Sequence, residues 1–535
     1  MPVRSGLFSG GIESRRVVLP HRRPEECRKI WGLRKRARPS RNQFAVTGFL
    51  DSRVTRWSLL ALALLFFAIS NFPWHLDDYD QAKQAFTSYE MVERGHWLYQ
   101  HTPNWWVATK PPLVGWISAV FFAVTRTWEL AWRLPSFLGA VGLLALIVRA
   151  AAIYGRIPAL VAGCAFSFNL FVPRLASLVR TDMPLALVIF AIGWLIWDKI
   201  RRHENWTARE RLLLFSLLSA GMLIKGPIVY AFLLPGLVAF EWRQRRNGDP
   251  VAAWGGWLPW LASFLVFLLW VAGGIHFVPE FIEHVVLREF AGRFSDAAHR
   301  PQPFYFYLPH LLHRFAPWSL LLIMLPILAA RKSAGGIRAA ARGMSPETFW
   351  LLAWSLGGLA VMSFVPSKRI DRIFPMVPPL CLLLAAAAGE FRKREGLRRI
   401  IDWSVAGAIV LGCLVTTGYV TGRIAAANRE HRNAFAQFGR AVVKAAEEHG
   451  WRYAIVGGDD EAMLLYVHRL EFIEEPEHAA AQWNAGKWDA LVVPEDEMEG
   501  MLPRFEGAEP KRFLRSEPAG RYRRRYLLLV RPSSS

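Results

Sequence analysis

Two adjacent aspartates after the first long apolar run are the residues best suited to proton transfer. Asp77 and Asp78 follow an apolar run that starts near Trp57. Their carboxylates repel each other, and partial desolvation at a membrane surface would make one of them a stronger base. We therefore predict that this pair accepts a proton in catalysis. The apolar spacing over 81–94 predicts a helix with one face on protein or lipid that ends at Gly95. Asp80 stands at its start, where an acid more often does no more than complement the helix dipole.

A second residue with chemical potential is Lys110, which directly precedes two prolines. Proline fixes the backbone φ angle, so the chain after Lys110 is held rigidly. An ammonium held in this way at headgroup depth is a compact charge that suits a phosphate group. A lysine that only extends toward lipid phosphates would look the same, and the residues alone leave both interpretations open.

Further charged residues stand where apolar runs end, and the charge pattern places them on the same side of the membrane. Positive charge at an outer face runs against the orientation rule, and an anionic lipid phosphate would account for it. We predict that the acid in this set, Asp182, orients an acceptor or holds a divalent cation. The cations are predicted phosphate ligands: Lys225, Arg293, Lys368 and Arg369.

The composition indicates the class of protein that must position these side chains. Of 535 residues, 53% are hydrophobic and 20% are charged, whereas soluble domains have about 45–50% and ~25%. The excess lies in long runs, which predicts an α-helical polytopic membrane protein. The net charge of +22 does not indicate nucleic acid, because the basic residues cluster between apolar runs. The cysteines lie in the N-terminal arm and in apolar runs, which excludes a disulfide framework.

The basic segments predict how the chain crosses the membrane. If they face the cytoplasm, the chain has about 11 transmembrane helices, a cytoplasmic N-terminal arm (1–56) and a first outer loop at 74–133. The apolar stretch 113–124 is short and would invert every later loop if it crossed, so we predict an interfacial helix. The alternative is that it crosses and about 12 or 13 helices exist. The predicted spans are 57–73, 134–152, 157–173, 184–199, 210–224, 226–241, 255–275, 308–329, 348–365, 371–389 and 400–421.

The last segment, 422–535, has the composition of a soluble domain, so the transmembrane catalytic domain is predicted over 57–421. We predict a small extracytoplasmic α/β domain, with a structural or acceptor-docking role because no phosphate loop, metal cluster or nucleophile motif is visible in it. The predicted helices are 423–449, 461–468 and 479–483, and the predicted strands are 453–456, 471–473, 490–493 and 526–530.

Several short motifs follow one another in order between about residues 55 and 390. They are Asp77-Asp78, Gly95-His96-Trp97-Leu98, Lys110-Pro111-Pro112, Arg133-Leu134-Pro135, Arg180-Thr181-Asp182, Lys225-Gly226-Pro227, Gly292-Arg293-Phe294, Pro317-Trp318, and Ser367-Lys368 with Pro375 and Pro378. As an ordered set they resemble the bacterial GT-C glycosyltransferases. The most similar group is that of the lipid A aminoarabinose transferase and its relatives, the dolichyl-phosphate-mannose protein mannosyltransferases.

The resemblance implies an activity and residue roles. Members of this family move a sugar, with inversion, from a polyprenyl phosphate to an acceptor at the outer face of the membrane. Asp77 is similar to their first-loop catalytic carboxylate and Asp78 to its acidic companion, while Lys110 and Arg293 are similar to ligands of the donor phosphate. The expected location is therefore the bacterial cytoplasmic membrane, and the acceptor is lipid A, another glycan or a protein.

The resemblance does not carry over a metal site. The aminoarabinose group has a glutamate before the Lys-Pro pair and a histidine shortly before Arg-Phe, which are proposed to hold a metal. Here those positions are Thr109 and Phe290. We therefore predict a reaction that requires no cofactor, with a divalent cation near Asp182 as an open alternative.

Two other function classes compete with an enzyme. A lipid or solute transporter would place ionisable groups near the middle of the bilayer, on broken helices in paired repeats, and neither feature is visible. A non-catalytic scaffold for envelope assembly would turn over no polyprenyl-phosphate sugar. The residues do not identify the sugar, the polyprenyl length or the acceptor.

Overall fold

The computed structural model describes residues 46, 48–76, 79–248, 253–290, 302–332, 342–394, 396–457, 461–506, 510–518 and 524–532. The part before the C-terminal region is almost entirely helical. Its helices are α1 (Arg53–Ile69), α2 (Tyr79–Arg94), α3 (Leu113–Thr125), α4 (Trp128–Ala151), α5 (Arg156–Ser167), α6 (Val172–Ala176), α7 (Asp182–Arg202), α8 (Ala208–Lys225), α9 (Ile228–Asn247), α10 (Leu258–Phe277), α11 (Tyr307–Arg314), α12 (Trp318–Lys332), α13 (Pro346–Phe364), α14 (Val377–Arg392) and α15 (Arg398–Arg429).

Three shorter elements in the same part of the chain approach the functional site. A two-stranded hairpin, β1 (His101–Thr102) and β2 (Trp106–Val107), follows α2. A π-helical segment covers Ile282–Phe290, and a 3-10 helix over Ile370–Met376 leads directly into α14.

Six helices in the described part of the chain are long and apolar enough to cross a membrane. They are α4, α7, α10, α13, α14 with its preceding 3-10 helix, and α15. Helix α3 has 13 residues, close to the predicted stretch 113–124. The helical, multi-span architecture confirms the predicted class, and the count of about 11 crossings remains a prediction.

Glycines allow two of the central helices to approach closely. A Cβ atom added to Gly236 of α9 would lie 2.7 Å from the Cα atom of Trp354 in α13, and one added to Gly357 would lie 2.8 Å from the Gly236 nitrogen. Small residues at such crossings permit the backbone contact on which helix association in a bilayer depends. Trp354 also packs over Gly193 of α7, so one tryptophan joins three helices.

The C-terminal α/β region (residues 434–532) contains a four-stranded sheet. The strands are β3 (Tyr453–Ile455), β4 (Ala490–Pro494), β5 (Lys511–Arg515) and β6 (Tyr526–Val530), in the order β3-β4-β6-β5. β3 and β4 are parallel, and the other neighbours are antiparallel. The helices of the region are α16 (Ala434–His449), α17 (Glu461–Tyr466), α18 (Pro476–Asn484) and α19 (Glu495–Met501).

Two predictions for this region are wrong, and one strand was not predicted. The predicted helix 423–449 is two helices, because α15 continues through Arg429 and the chain turns at His431, which has a φ of 47°, before α16. The predicted strand 471–473 forms a single bridge, between Ile473 and Val456. The edge strand β5 was missed because its residues are largely exposed and basic, so they carry no apolar signal.

Helix α2 lies between the transmembrane helices and the C-terminal region. The predicted helix 81–94 is confirmed, and Gly95, with a φ of 78°, follows its end. Its buried residues extend from Gln81 to Met91 around most of the helix, and not over one face as its apolar spacing suggested. Ala82 and Phe86 belong to the same apolar cluster as Val442 and Leu464 of the C-terminal region, so tertiary contacts cover the second face.

Candidate functional site

The connection from α2 to α3 brings chemically active residues over the ends of the transmembrane helices. After Gly95 the chain forms the β1–β2 hairpin, whose tip residue Asn104 has a φ of 55°. The chain then passes Thr109 and Lys110, and Pro112 stands immediately before α3. The prolines lack backbone donors and have a fixed φ, so they hold Lys110 at a defined place beside the helix.

A cavity of about 500 Å³ opens beside this connection. Residues from α2, the hairpin, α7, α8, the π-helical segment, the segment 367–372 and the C-terminal region line it. Basic side chains outnumber acidic ones among the described lining residues, which makes the cavity suitable for an anion. The basic residues are Lys83, Lys110, Arg180, Lys225, Arg288, Arg369 and Arg372, and the acidic residues are Asp80, Asp182, Asp371, Glu461 and Glu474.

Lys110 lies in this cavity, as its predicted role requires. Burial lowers the pKa of the Lys110 ammonium to about 8, and the opposite charge of Asp80 acts against that shift. Within the described residues, Lys110 has no ion-pair partner in contact. An anionic group that enters the cavity would therefore meet the ammonium of Lys110, which no described side chain already neutralises by direct contact.

Asp80 pairs with two arginines of the site, although its position suggested no more than a helix-start acid. Its carboxylate contacts the guanidinium of Arg369, and Arg180 Nη2 lies 3.4 Å from Asp80 Oδ2. Burial opposes ionisation of the Asp80 carboxyl, but Lys110, Arg369 and Arg180 outweigh it and hold its pKa well below its usual range. Because a carboxylate with a depressed pKa is a weak base, Asp80 is suited to holding cations in place and unsuited to general-base catalysis.

Asp182 and Lys225, which the sequence analysis considered separately, form an ion pair in the cavity. Asp182 begins α7 and Lys225 ends α8, and Lys225 Nζ donates to Asp182 Oδ1 over 2.6 Å. Gly226 follows Lys225 with a φ of 72°, a conformation that favours glycine and ends the helix at this point. The carboxylate of Asp182 and the ammonium of Lys225 therefore hold each other in a fixed orientation.

The segment 367–372 contains two predicted phosphate ligands, Lys368 and Arg369, and the structure places them differently. Arg369 lines the cavity and contacts Asp80. Lys368 is not among the lining residues, and its Nζ donates to the backbone oxygen of Gln302 over 2.9 Å. Burial also lowers the pKa of Lys368. The structure therefore brings Arg369 to the predicted site and does not bring Lys368 there.

Three predicted site residues, Asp77, Asp78 and Arg293, lie outside the described residues. The neighbours of each reach the cavity. Tyr79 and Asp80 line it directly after the aspartate pair, and Arg288 lines it from the π-helical segment that precedes Arg293.

Sequence reasoning assigned no role to the ion-pair network behind Asp80. Arg180 Nη1 lies 2.9 Å from Asp371 Oδ2, and Arg174 Nη1 lies 3.0 Å from the other oxygen of Asp371. Asp371 is 8% exposed, so both cations share a nearly buried carboxylate. Arg180 and Asp371 stand in short charged segments at the ends of apolar runs, which was the available signal for a functional role.

The C-terminal region supplies part of the cavity wall. Glu461, Phe472 and Glu474 are among the lining residues. Asn104 Nδ2 donates to Glu474 Oε1 over 2.9 Å and to the backbone oxygen of Phe472 over 3.2 Å. No local pattern indicated these residues, because they reach the site only through the packing of the region on α2.

The chain is similar in sequence to known proteins. Residues 109–270 match the family described as dolichyl-phosphate-mannose-protein mannosyltransferase. An undecaprenyl phosphate-alpha-4-amino-4-deoxy-L-arabinose arabinosyl transferase of Aeromonas salmonicida is 29% identical over 373 residues, 68% of this chain and 65% of that protein. One of Pseudomonas fluorescens is 28% identical over 377 residues, 66% of this chain and 63% of that protein.

The fold is shared with a solved structure, that of ArnT from Cupriavidus metallidurans bound to undecaprenyl phosphate. The TM-score is 0.67 at 17% sequence identity, over 88% of this chain and 97% of that one. The chain therefore has the same fold as this structure. It is a multi-pass membrane protein with the GT-C fold.

The chain covers slightly less than two thirds of the length of the two arabinosyl transferases. At the positions where the aminoarabinose group is expected to hold a metal, Thr109 lines the cavity, and the side chain of Phe290 is not described. Neither threonine nor phenylalanine is a usual ligand of a divalent transition metal.

Proposed function

We propose that this chain is an inverting glycosyltransferase that moves a sugar from a polyprenyl-phosphate donor to a lipid, glycan or protein acceptor. The observation that carries the proposal is the predominantly basic cavity, which gathers Lys110, Arg369 and the Asp182–Lys225 pair at the ends of apolar helices. The names of the two arabinosyl transferases and the undecaprenyl phosphate bound to the structural relative support a donor of this class.

Lys110 and Arg369 would stabilise the negative charge that develops on the departing phosphate. A cation acts strongly in a site of low dielectric constant, and its placement before the reaction avoids a reorganisation cost. Asp80 holds Arg369 in position from one side of the cavity. Arg372 is a further cation of the wall, and its Nη1 donates to the backbone oxygen of Ser367 over 2.5 Å.

The acceptor oxygen would attack the anomeric carbon on the face opposite the phosphate. The bond between the anomeric carbon and the phosphate oxygen breaks as the new glycosidic bond forms, and the acceptor proton passes to Asp77, assisted by Asp78. This assignment rests on the sequence and the family resemblance. The depressed pKa of Asp80 supports it indirectly, because the described acid nearest to the pair is a poor base. Asp182, fixed by Lys225, would orient the acceptor.

The placement of the charges favours an enzyme over a transporter. Asp80 lies in the first turn of α2, Asp182 at the start of α7, Lys225 at the end of α8, and Arg369 just before a 3-10 helix. They therefore meet at helix ends, whereas carriers place ionisable groups at mid-bilayer on broken helices. We propose that this end faces the outside of the bacterial cytoplasmic membrane, with the N-terminal arm in the cytoplasm and the C-terminal region outside.

Turnover of defined donors by the purified protein tests the proposal. The full-length chain in detergent is incubated with undecaprenyl-phosphate sugars and with lipid A, glycan and peptide acceptors, and products are measured by mass spectrometry. Asp77→Asn should reduce transfer by about 10²–10⁴-fold, the usual contribution of a general base, while undecaprenyl phosphate binding stays within about twofold.

Asp51→Asn is the matched control, because Asp51 is exposed and precedes α1. It should transfer at the normal rate. Transfer by Asp77→Asn at the normal rate would show that the catalytic assignment is wrong. Failure of the wild-type chain to release any donor phosphate would remove the proposed function itself.

A further inference from the structure

A cluster of three possible metal ligands lies beside the hairpin, outside the lining of the cavity. Glu90 in the last turns of α2, His96 after the Gly95 turn and His101 in β1 bring one ligand atom each within 4.8 Å of one another. We propose that these three residues bind a divalent transition-metal ion of the zinc class, and that the ion fixes the hairpin wall of the cavity.

The first argument is the burial of Glu90, whose side chain is 0% exposed. Its described ion-pair partners are both imidazoles: His96 Nδ1 contacts Oε1, and His101 Nδ1 lies 3.4 Å from the same oxygen. A buried carboxylate costs several kcal/mol unless a positive charge compensates it. Neutral imidazoles provide no such charge, whereas a divalent cation between the three groups would provide it.

The second argument is a buried ring nitrogen without a hydrogen-bond partner. Nδ1 of His101 is shielded from solvent and makes no hydrogen bond within the described residues, although it points into the cluster. Buried polar atoms of this kind are rare in native structures and call for an explanation such as an ion. A metal ion bound by the lone pair of Nδ1 would give this buried atom a partner.

The spacing of one pair of ligand atoms agrees with tetrahedral coordination, and His96 Nδ1, which contacts Oε1 more closely, would move outward when an ion enters. With metal–ligand bonds of ~2.0 Å, neighbouring ligand atoms of zinc are roughly 3.3 Å apart, and Glu90 Oε1 and His101 Nδ1 are 3.4 Å apart. The second carboxylate oxygen, Oε2, accepts the backbone N–H of His101 over 3.2 Å, so Oε1 is the carboxylate oxygen that faces the two imidazoles. His96 is 31% exposed, so an ion can enter from solvent and a water molecule can complete the shell.

The surrounding residues hold the two imidazoles in place. The ring of Trp105 packs against both, with centroid distances of 5.4 Å to His96 and 5.5 Å to His101. Trp105 Nε1 donates to Glu471 Oε1 of the C-terminal region over 2.9 Å. Outer contacts that orient the ligands are typical of metal sites and tune their affinity. Two imidazoles and one carboxylate favour zinc and its neighbours over Mg²⁺ or Ca²⁺, which prefer oxygen ligands.

An ion at this place would stiffen the cavity wall. The hairpin residues Thr102, Asn104 and Val107 line the cavity, and Asn104 donates a hydrogen bond to Glu474, another lining residue. A metal that joins α2 to β1 would restrict the hairpin at its base. This role is independent of the transfer chemistry, because none of the three ligands lines the cavity.

Metal content tests the inference without reference to sugar transfer. The full-length protein, purified without a histidine tag, is stripped with a chelator, equilibrated with Zn²⁺ or Mg²⁺, and analysed by inductively coupled plasma mass spectrometry. The wild type should retain about one zinc and no magnesium per chain. Glu90→Gln and His101→Gln should each lower zinc affinity by at least ~100-fold, since loss of even an outer-shell partner costs 10–100-fold. His478→Gln, at an exposed histidine of the C-terminal region, should bind zinc normally.

A second measurement uses the wild type alone, so that a folding defect in a variant cannot obscure the result. Zn²⁺ should slow the modification of His96 and His101 by diethyl pyrocarbonate at least tenfold and leave His478 unaffected. Hydrogen exchange over residues 95–107 should slow when zinc is added. No zinc retained by the wild type, zinc retained equally by Glu90→Gln, or equal protection of His478 would each overturn the inference.

Discussion

Replacement of Lys110 by methionine is the sharpest test of the phosphate site. Lys110 lines the cavity, and no described acid contacts its ammonium, so the charge is available to a ligand. A hydrogen bond to a charged partner contributes about 1.5–3 kcal/mol net. At ~1.4 kcal/mol for each tenfold change, Lys110→Met should weaken undecaprenyl phosphate binding about 10- to 150-fold at pH 7.

The pH dependence of undecaprenyl phosphate binding provides an independent test of the role of Lys110. Lys110 has a pKa of about 8 in the free protein, and a bound phosphate would raise it by favouring the ammonium. Above pH 8 the free protein must therefore take up a proton in order to bind, and affinity should fall by up to ~10-fold per pH unit. Lys110→Met has no such proton to gain, so its affinity should change much less between pH 8 and 9.5.

Binding of undecaprenyl phosphate can be measured by microscale thermophoresis in detergent between pH 7 and 9.5. Lys444→Met is the matched control, because Lys444 has a side chain that is 76% exposed and paired with Glu448 in the C-terminal region. It should retain both the affinity and the pH dependence of the wild type. Binding by Lys110→Met within twofold of the wild type at pH 7, or with the same decline above pH 8, would refute the role of Lys110.

Two further substitutions test the network and the helix packing. Asp80→Asn should lower the transfer rate at least tenfold by releasing Arg369. The pH profile should keep its shape, because the depressed pKa keeps Asp80 ionised throughout the neutral range; an acidic limb between pH 5 and 7 that disappeared in the variant would identify Asp80 as the base instead. Gly236→Ala should lower unfolding stability by about 1–3 kcal/mol, since its Cβ meets the Trp354 backbone at 2.7 Å. Gly407→Ala, which meets nothing within 4 Å, should not destabilise the protein in the same thermal unfolding assay.

Local patterns were sufficient to predict several elements of the protein. The helix after Asp80 has apolar residues at helical spacing and a glycine after its end, and it forms as expected. The strands at Ala490–Pro494 and Tyr526–Val530 are short apolar runs, and they form within one residue of their predicted bounds. The helix before the C-terminal region was misjudged, because a change from apolar to polar residues does not end a helix unless a turn residue follows.

The sequence by itself determined the class of the protein, the Lys110-Pro111-Pro112 connection and the charged segments at the ends of the apolar runs. Composition and periodicity are properties of neighbouring residues, so they can be read without a fold. Only the tertiary structure decided which charges meet. Asp80 contacts Arg369, Asp182 contacts Lys225, and Asn104 contacts Glu474. These partners are far apart in the chain, and their meeting depends on how helices and the C-terminal region pack. The same packing turns Lys368 away from the cavity while its neighbour Arg369 enters it.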